Sequence, residues 1–201
     1  MATTTPPRSA RVERSTKETQ IALELALDGS GKSDVSTGAG FLDHMLDLLA
    51  RHARFDLTVN ASGDLETGAH HTTEDVGIVI GQALDQALAD RSGITRYGSA
   101  TVPMDESLAE CALDISGRPF CAFAGELPAA SIAGWDTELA EEFFRAVANS
   151  AKLTVHVRVV AGNNAHHMIE ASFKAFARAL RVACSRDRQL ARMLPSTKGL
   201  L

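Results

Sequence analysis

The chain has 201 residues, of which 45% are apolar and 22% charged, and a net charge of −5 at pH 7. These are ordinary globular values and exclude a chain disordered throughout, while the acidic balance argues against a nucleic-acid binder, which leans on a Lys/Arg surplus. No apolar run reaches the ~20 residues of a transmembrane helix. The opening "MATTTPPRSA" lacks the apolar stretch of a signal peptide, so residues 1–10 read as a disordered N-terminal tail on a cytoplasmic protein. Cys111, Cys121 and Cys184 are odd in number and widely spaced, the pattern of buried inert thiols rather than of a disulfide framework or a thiolate zinc site.

In chain order, Ile21, Leu23, Leu25 and Leu27 alternate with Ala22, Glu24 and Ala26, which predicts a strand; the turn "DGSGK" then predicts a hairpin to a short strand at residues 32–36. Phe41, Leu42, Met45, Leu48 and Leu49 recur at helical spacing, and "FDLTVNAS" alternates as a strand. A second helix follows in "TTEDVGIVIGQALDQALADR", with Val76, Val79, Ile80, Ala83, Leu84, Ala87 and Leu88 on one face and Thr72 or Thr73 as its cap. After Tyr97, Pro103, Gly117 and Pro119 break a β-rich stretch into short strands. "DTELAEEFFRAVANSAK", "LTVHVRVVAG" and "HHMIEASFKAFARALRVAC" then give helix, strand and helix, so the order of the first half returns.

The return is an internal duplication. "LDHMLDLLARHARFDLTV" pairs with "AEEFFRAVANSAKLTVHV" at an offset of 98, and "AHHTTEDVGIVIGQAL" with "AHHMIEASFKAFARAL" at an offset of 96. Two copies are too few for a solenoid, so the expected architecture is α+β: two similar halves, each a small sheet with two helices on one face, packed as one compact domain. The halves run over 11–95 and 96–187, and residues 188–201 form a C-terminal tail.

The chemistry sits in the duplicated H-H-x-x-E. On a helix, residues four apart share a face and adjacent residues diverge by about 100°. His70 therefore pairs with Glu74 and His166 with Glu170, while His71 and His167 aim elsewhere. His44 falls opposite Glu142 in the repeat, and both side chains can ligate metal. The expected grouping is His44, His71, His166 and Glu170 around one metal, and His70, Glu74, Glu142 and His167 around another. Imidazole and carboxylate ligands without thiolate suit Mn, Fe or Zn. A single pair of adjacent histidines would read as helix caps or polar core; two pairs in register, each with Glu at the same offset, read as metal sites. Two metals with an arginine cluster would also serve a phosphoester hydrolase, although such sites lean on Asp-rich ligands, and metals could alternatively hold a structural shell together.

These residues, with "FLDHML", "DISGRP" and the terminal "PSTKG", resemble the imidazoleglycerol-phosphate dehydratase family over nearly everything after Arg11. The resemblance implies a ribosomal protein S5 domain 2-like fold of two repeated halves, each a four-stranded, mostly antiparallel sheet with two helices. It implies a hydro-lyase of histidine biosynthesis with two Mn2+ per active site, which removes water from imidazoleglycerol phosphate through an imidazolate and a diazafulvene-like intermediate. It further implies a homo-oligomer of trimers forming a 24-subunit shell, with active sites between subunits. By the same resemblance Glu18 is the proton shuttle, acting beside the carboxylates Glu74 and Glu170. Arg96, Arg118, Lys174, Ser196, Thr197 and Lys198 form the phosphate pocket, with the tail contributing to the active site. His52 reads equally as a phosphate contact or a favourable charge at a helix C-terminus. Where the family carries "HFF", this chain has "EEFF", which puts Glu142 in a ligand position and predicts a weaker Lewis acid there. His156 is read as an exposed or interface side chain, and Trp135 and Tyr97 as packing residues.

Overall fold

The computed structural model describes residues 8–187, 189–190 and 193–201; residues 1–7 of the expected N-terminal tail and 188, 191 and 192 of the C-terminal one lie outside the described residues. The first half runs β1 (Ser9–Ser15), β2 (Thr19–Ala26), β3 (Ser33–Ser36), α1 (Gly40–Ala53), β4 (Asp56–Gly63) and α2 (His70–Leu88). The second runs β5 (Tyr97–Met104), β6 (Ser107–Asp114), β7 (Phe120–Ala124), a small β8 (Ser131–Ile132) and β9 (Trp135–Asp136) pair, α3 (Leu139–Ala151), β10 (Thr154–Ala161) and α4 (Ala165–Cys184). Apart from the β8–β9 pair the halves match element for element, and so do their four-stranded sheets, ordered β1-β2-β4-β3 and β5-β6-β10-β7. Only the edge pairs β3–β4 and β7–β10 are parallel.

Each sheet alternates as its sequence requires. Ile21, Leu23 and Leu25 are buried on the inner face of β2, and Val155 and Val157 on that of β10. Helices α1 and α2 cover the first sheet, α3 and α4 the second, and the helix layers meet as α2 on α3 and α1 on α4. The core therefore lies between two outer sheets. Close approach of α2 to α3 depends on Gly81, where a Cβ would stand 2.7 Å from the Val147 carbonyl oxygen. No described helix is long and apolar enough to cross a membrane.

Several expectations change. Strand β3 does not fold back on β2; it lies parallel to β4. The cause is Asp56, whose Oδ1 accepts the backbone N–H groups of Ser30, Gly31 and Lys32 at 2.8, 3.0 and 3.0 Å and pins the glycine-rich turn to the start of β4. Residues 9 and 10, assigned to the tail, open β1, which pairs along β2 from Ser9↔Ala26 to Ser15↔Gln20. Thr72 and Thr73 do not cap α2, which already begins at His70; both are buried, and Thr73 Oγ1 accepts the indole N–H of Trp135 at 2.9 Å. Pro103 lies within β5 rather than breaking it, as an edge strand permits. Tyr97 is no packing residue: it is 57% exposed, with the Arg96 guanidinium 4.7 Å from its ring centroid.

The duplication also reaches further back than the helices. Ladder registers align β2 with β6 at an offset of 88, for both Leu25 and Leu113 sit beside the equivalent residues Leu57 and Val155. Carried through the hairpins, this makes Lys17-Glu18 and Asp105-Glu106 the same turn.

Candidate metal centres

At the first centre, α1 brings His44 and α4 brings His166 and Glu170 to one point. One ligand atom from each lies within 4.8 Å of the others. His44 Nε2 and His166 Nε2 stand 3.2 and 3.0 Å from the same Glu170 oxygen. Adjacent ligand positions around an octahedral ion with bonds of about 2.1 Å are also ~3.0 Å apart, so this donor set fits a first-row divalent cation. Glu170 is the buried member, with 8% of its side chain exposed. Burial pushes its carboxyl up, but Lys174 at 2.6 Å and the two imidazoles outweigh that, and it is held below the ordinary carboxylate range.

The second centre is looser. His70 Nε2 is 3.9 Å from Glu74, and His70 and Glu142 line one cavity of about 370 Å³ with Glu138 and Glu141. Glu142 is engaged by Arg145 at 2.6 Å, one turn along α3. The first predicted grouping thus keeps three members together and loses His71; of the second, His70 lies near Glu74 and shares a cavity with Glu142, and His167 is turned elsewhere. His71 instead lies at the start of α2 with Nδ1 3.0 Å from Asp64, and His167 at the start of α4 with Nδ1 2.8 Å from Glu106. Those carboxylates raise both imidazoles above their ordinary range, and the His167 ring holds Glu106 down to about 2. Sequence reading missed Asp64 and Glu106. The ladder registers alone show that the Glu106 turn repeats that of Glu18.

Glu18 is exposed at the tip of the β1–β2 turn, and its carboxylate makes no hydrogen bond or ion pair among the described residues. The expected phosphate residues fall into two groups. Arg96 donates to Asp114 at 2.7 and 3.1 Å and to the Pro195 carbonyl at 2.7 Å, which draws the tail bearing Ser196, Thr197 and Lys198 toward it. Arg118 lies 3.8 Å from the same Asp114, with its side chain 64% exposed. Lys174 stands apart as the partner of Glu170, and burial together with the charges of Lys174 and Arg178 lowers the half-buried His52 below the usual histidine range. His156 is exposed beside Phe120, as expected. Cys111 and Cys184 are buried and Cys121 partly so; burial pushes Cys184 up to about 12 and Cys121 to about 11, which leaves them inert.

Known proteins share this whole frame. A family model described as imidazoleglycerol-phosphate dehydratase matches residues 37–180. The relative of that name from Xanthobacter autotrophicus is 58% identical over 194 residues, covering 96% of this chain and 98% of its own. One from Acetivibrio thermocellus is 56% identical, over 96% and 99%. The crystal structure of imidazoleglycerol-phosphate dehydratase from Staphylococcus aureus superposes with a TM-score of 0.81 at 44% identity, over 89% of this chain and 99% of that one. The Pyrococcus furiosus structure gives 0.82 at 36%, over 94% and 100%. Fold, paired histidine helices and near-complete relatives agree: the chain belongs to the imidazoleglycerol-phosphate dehydratase family.

Proposed function

We propose that the protein dehydrates imidazoleglycerol phosphate to imidazole acetol phosphate, a step of histidine biosynthesis, at sites that hold two Mn2+ ions. The observation that carries this is the convergence of His44, His166 and Glu170 from two helices that the duplication repeats as His70, Glu74 and Glu142. His71 and His167 are the fourth ligands, supplied to partner subunits, because each leads away from the centre on its own helix. A homo-oligomer follows, and the exposed Tyr97 and Phe120 on the outer face of the second sheet support one. Its assembly is the shell of trimers that the family resemblance implies. Three free thiols support a cytoplasmic location.

The hydrogen to be removed is next to no carbonyl, so the electrons that expel the hydroxyl beside the ring must come from the imidazole. When bound, the metal ions would draw charge from the ring nitrogens and stabilise the ring once its N–H proton has left. Around that chemistry the chain orients and moves protons. Glu18, unpaired at its turn, takes the proton from the carbon next to the one that loses hydroxyl. The hydroxyl leaves as water with the proton the ring nitrogen gave up, Glu18 returns its proton to the ring, and the resulting enol gains a proton on the carbon beside the ring as its O–H proton is lost, giving the ketone. Arg118 offers a planar fork to the phosphate and Arg96, held by Asp114 and the tail, adds charge behind it, with Ser196, Thr197 and Lys198 closing over it, Lys174 adding positive charge from α4 and the His52 ring a hydrogen bond from α1.

The test is to incubate Mn-loaded protein with imidazoleglycerol phosphate. The expected product is a ketone that keeps its phosphate. Release of inorganic phosphate, or no product with both centres loaded, would refute the proposal.

A further inference from the structure

Every imidazole at the two centres faces its own chain's glutamate through Nε2, as His44, His166 and His70 do. The two that leave do the reverse. His71 and His167 give Nδ1 to a carboxylate, at 3.0 Å to Asp64 and 2.8 Å to Glu106. Each carboxylate is itself fastened. Thr67 Oγ1 donates to Asp64 at 3.0 Å, while Ser107 Oγ and the Asn164 backbone N–H donate to Glu106 at 3.0 and 3.1 Å. Asn164 in turn caps α4 by accepting the backbone N–H groups of His166 and His167. Carboxylate, ring and helix start are thereby one hydrogen-bonded unit in the second half.

The carboxylates are not repeats of each other. Asp64 follows β4, whereas Glu106 sits in the β5–β6 turn, and the repeat partner of Glu106 is Glu18. With Asp64 on the His71 ring, Glu18 has no ring to hold. We propose that Asp64 and Glu106 are positioning residues, each fixing one imidazole with Nδ1 protonated and Nε2 presented outward as a metal ligand, and that Asp64 thereby frees Glu18 for the substrate. An imidazole that donates Nδ1–H to a carboxylate has only Nε2 left as a lone-pair donor, its ring rotation is stopped, and its basicity rises.

This inference rests on the metal reading above, and the test separates the two. Mn2+ is titrated into metal-stripped, assembled protein, followed by calorimetry and by the spin-resonance signal of bound ion. Asp64→Asn and Glu106→Gln should each weaken one of the two binding events by about tenfold to a hundredfold and leave the other alone. Glu18→Gln should lose turnover with Mn2+ affinity unchanged. Unfolding of the metal-stripped variants is measured alongside; should Asn or Gln lower it, Asp64→Glu and Glu106→Asp, which keep the charge, must retain affinity closer to that of the parent. Parent-like affinity at both sites in Asp64→Asn and Glu106→Gln would overturn the inference, as would an equal loss in Glu18→Gln. A parent protein that binds no Mn2+ would instead remove the metal reading beneath it.

Discussion

The two halves share a fold, but the two centres built across them differ in charge arrangement. In the first centre the buried Glu170 is gathered by two imidazoles and Lys174, so its carboxylate is already ionised and aimed. In the second, Glu74 is about half exposed and Glu142 is tied to Arg145. Where one centre has its donors converged, the other must first release a carboxylate from an ion pair. The difference follows from two positions: Lys174 repeats as the apolar Ile78, and Glu142 stands where the repeat places His44. A carboxylate there gains an arginine partner one turn along, which an imidazole would not recruit as strongly.

That contrast can be broken at several points. The largest effect is expected for Glu170→Gln, which removes the charge that both imidazoles face: loss of metal from the first centre and a fall in turnover of about a thousandfold or more, read by metal analysis and steady-state kinetics. Next is the seam between the halves. Gly81→Ala gains helix propensity of about 1 kcal/mol but drives a Cβ into the Val147 carbonyl, so a net destabilisation of ~1–3 kcal/mol is expected in urea unfolding, whereas Gly40→Ala, with open space at its Cβ, should be neutral or slightly stabilising.

A smaller effect distinguishes the starts of β4 and β10. Asp56 binds three backbone N–H groups, where the equivalent Thr154 makes only hydroxyl contacts with Ser116 and the Arg118 carbonyl. Those N–H groups hold the Asp56 carboxyl below the ordinary carboxylate range. A depressed folded-state value means stability that is present above the unfolded value and lost as pH falls through the folded one. Asp56→Ala should cost about 1 kcal/mol at neutral pH, and Asp56→Asn should flatten the acid limb of the stability profile. Smallest of all, Arg145→Ala should release Glu142 and tighten metal at the second centre by about two- to fivefold, the scale of an exposed ion pair. Glu142→His should keep two metals per chain; its losing metal while Glu142→Ala keeps it would show that Glu142 is no ligand.

Much of this was legible in the sequence, for identifiable reasons. Helical periodicity located α1 to α4, and the spacing of His166 and Glu170 correctly placed them on one face. The paired histidines at the helix starts diverge as a 100° step requires. Strand pairing was less legible: β3 goes beyond β4 because a single carboxylate, Asp56, captures a turn, and no periodicity encodes that. Strand β1 was hidden because "SARVERS" carries so few apolar residues, its buried face being Val12 alone. Asp64 and Glu106 were hidden for another reason: they reach their imidazoles from loops, and only the β-ladder registers reveal that Glu106 repeats Glu18.

The central claim is that each centre takes three ligands from one chain, drawn from both of its halves, and a fourth, His71 or His167, from a neighbouring subunit. Anomalous scattering at the manganese edge, from crystals of the Mn-loaded assembly, tests it directly. The account predicts two peaks per chain, one on His44, His166 and Glu170 with His71 of the partner subunit, the other on His70, Glu74 and Glu142 with His167 of the partner subunit. A single peak per chain, or peaks whose ligands all come from one chain, would contradict it.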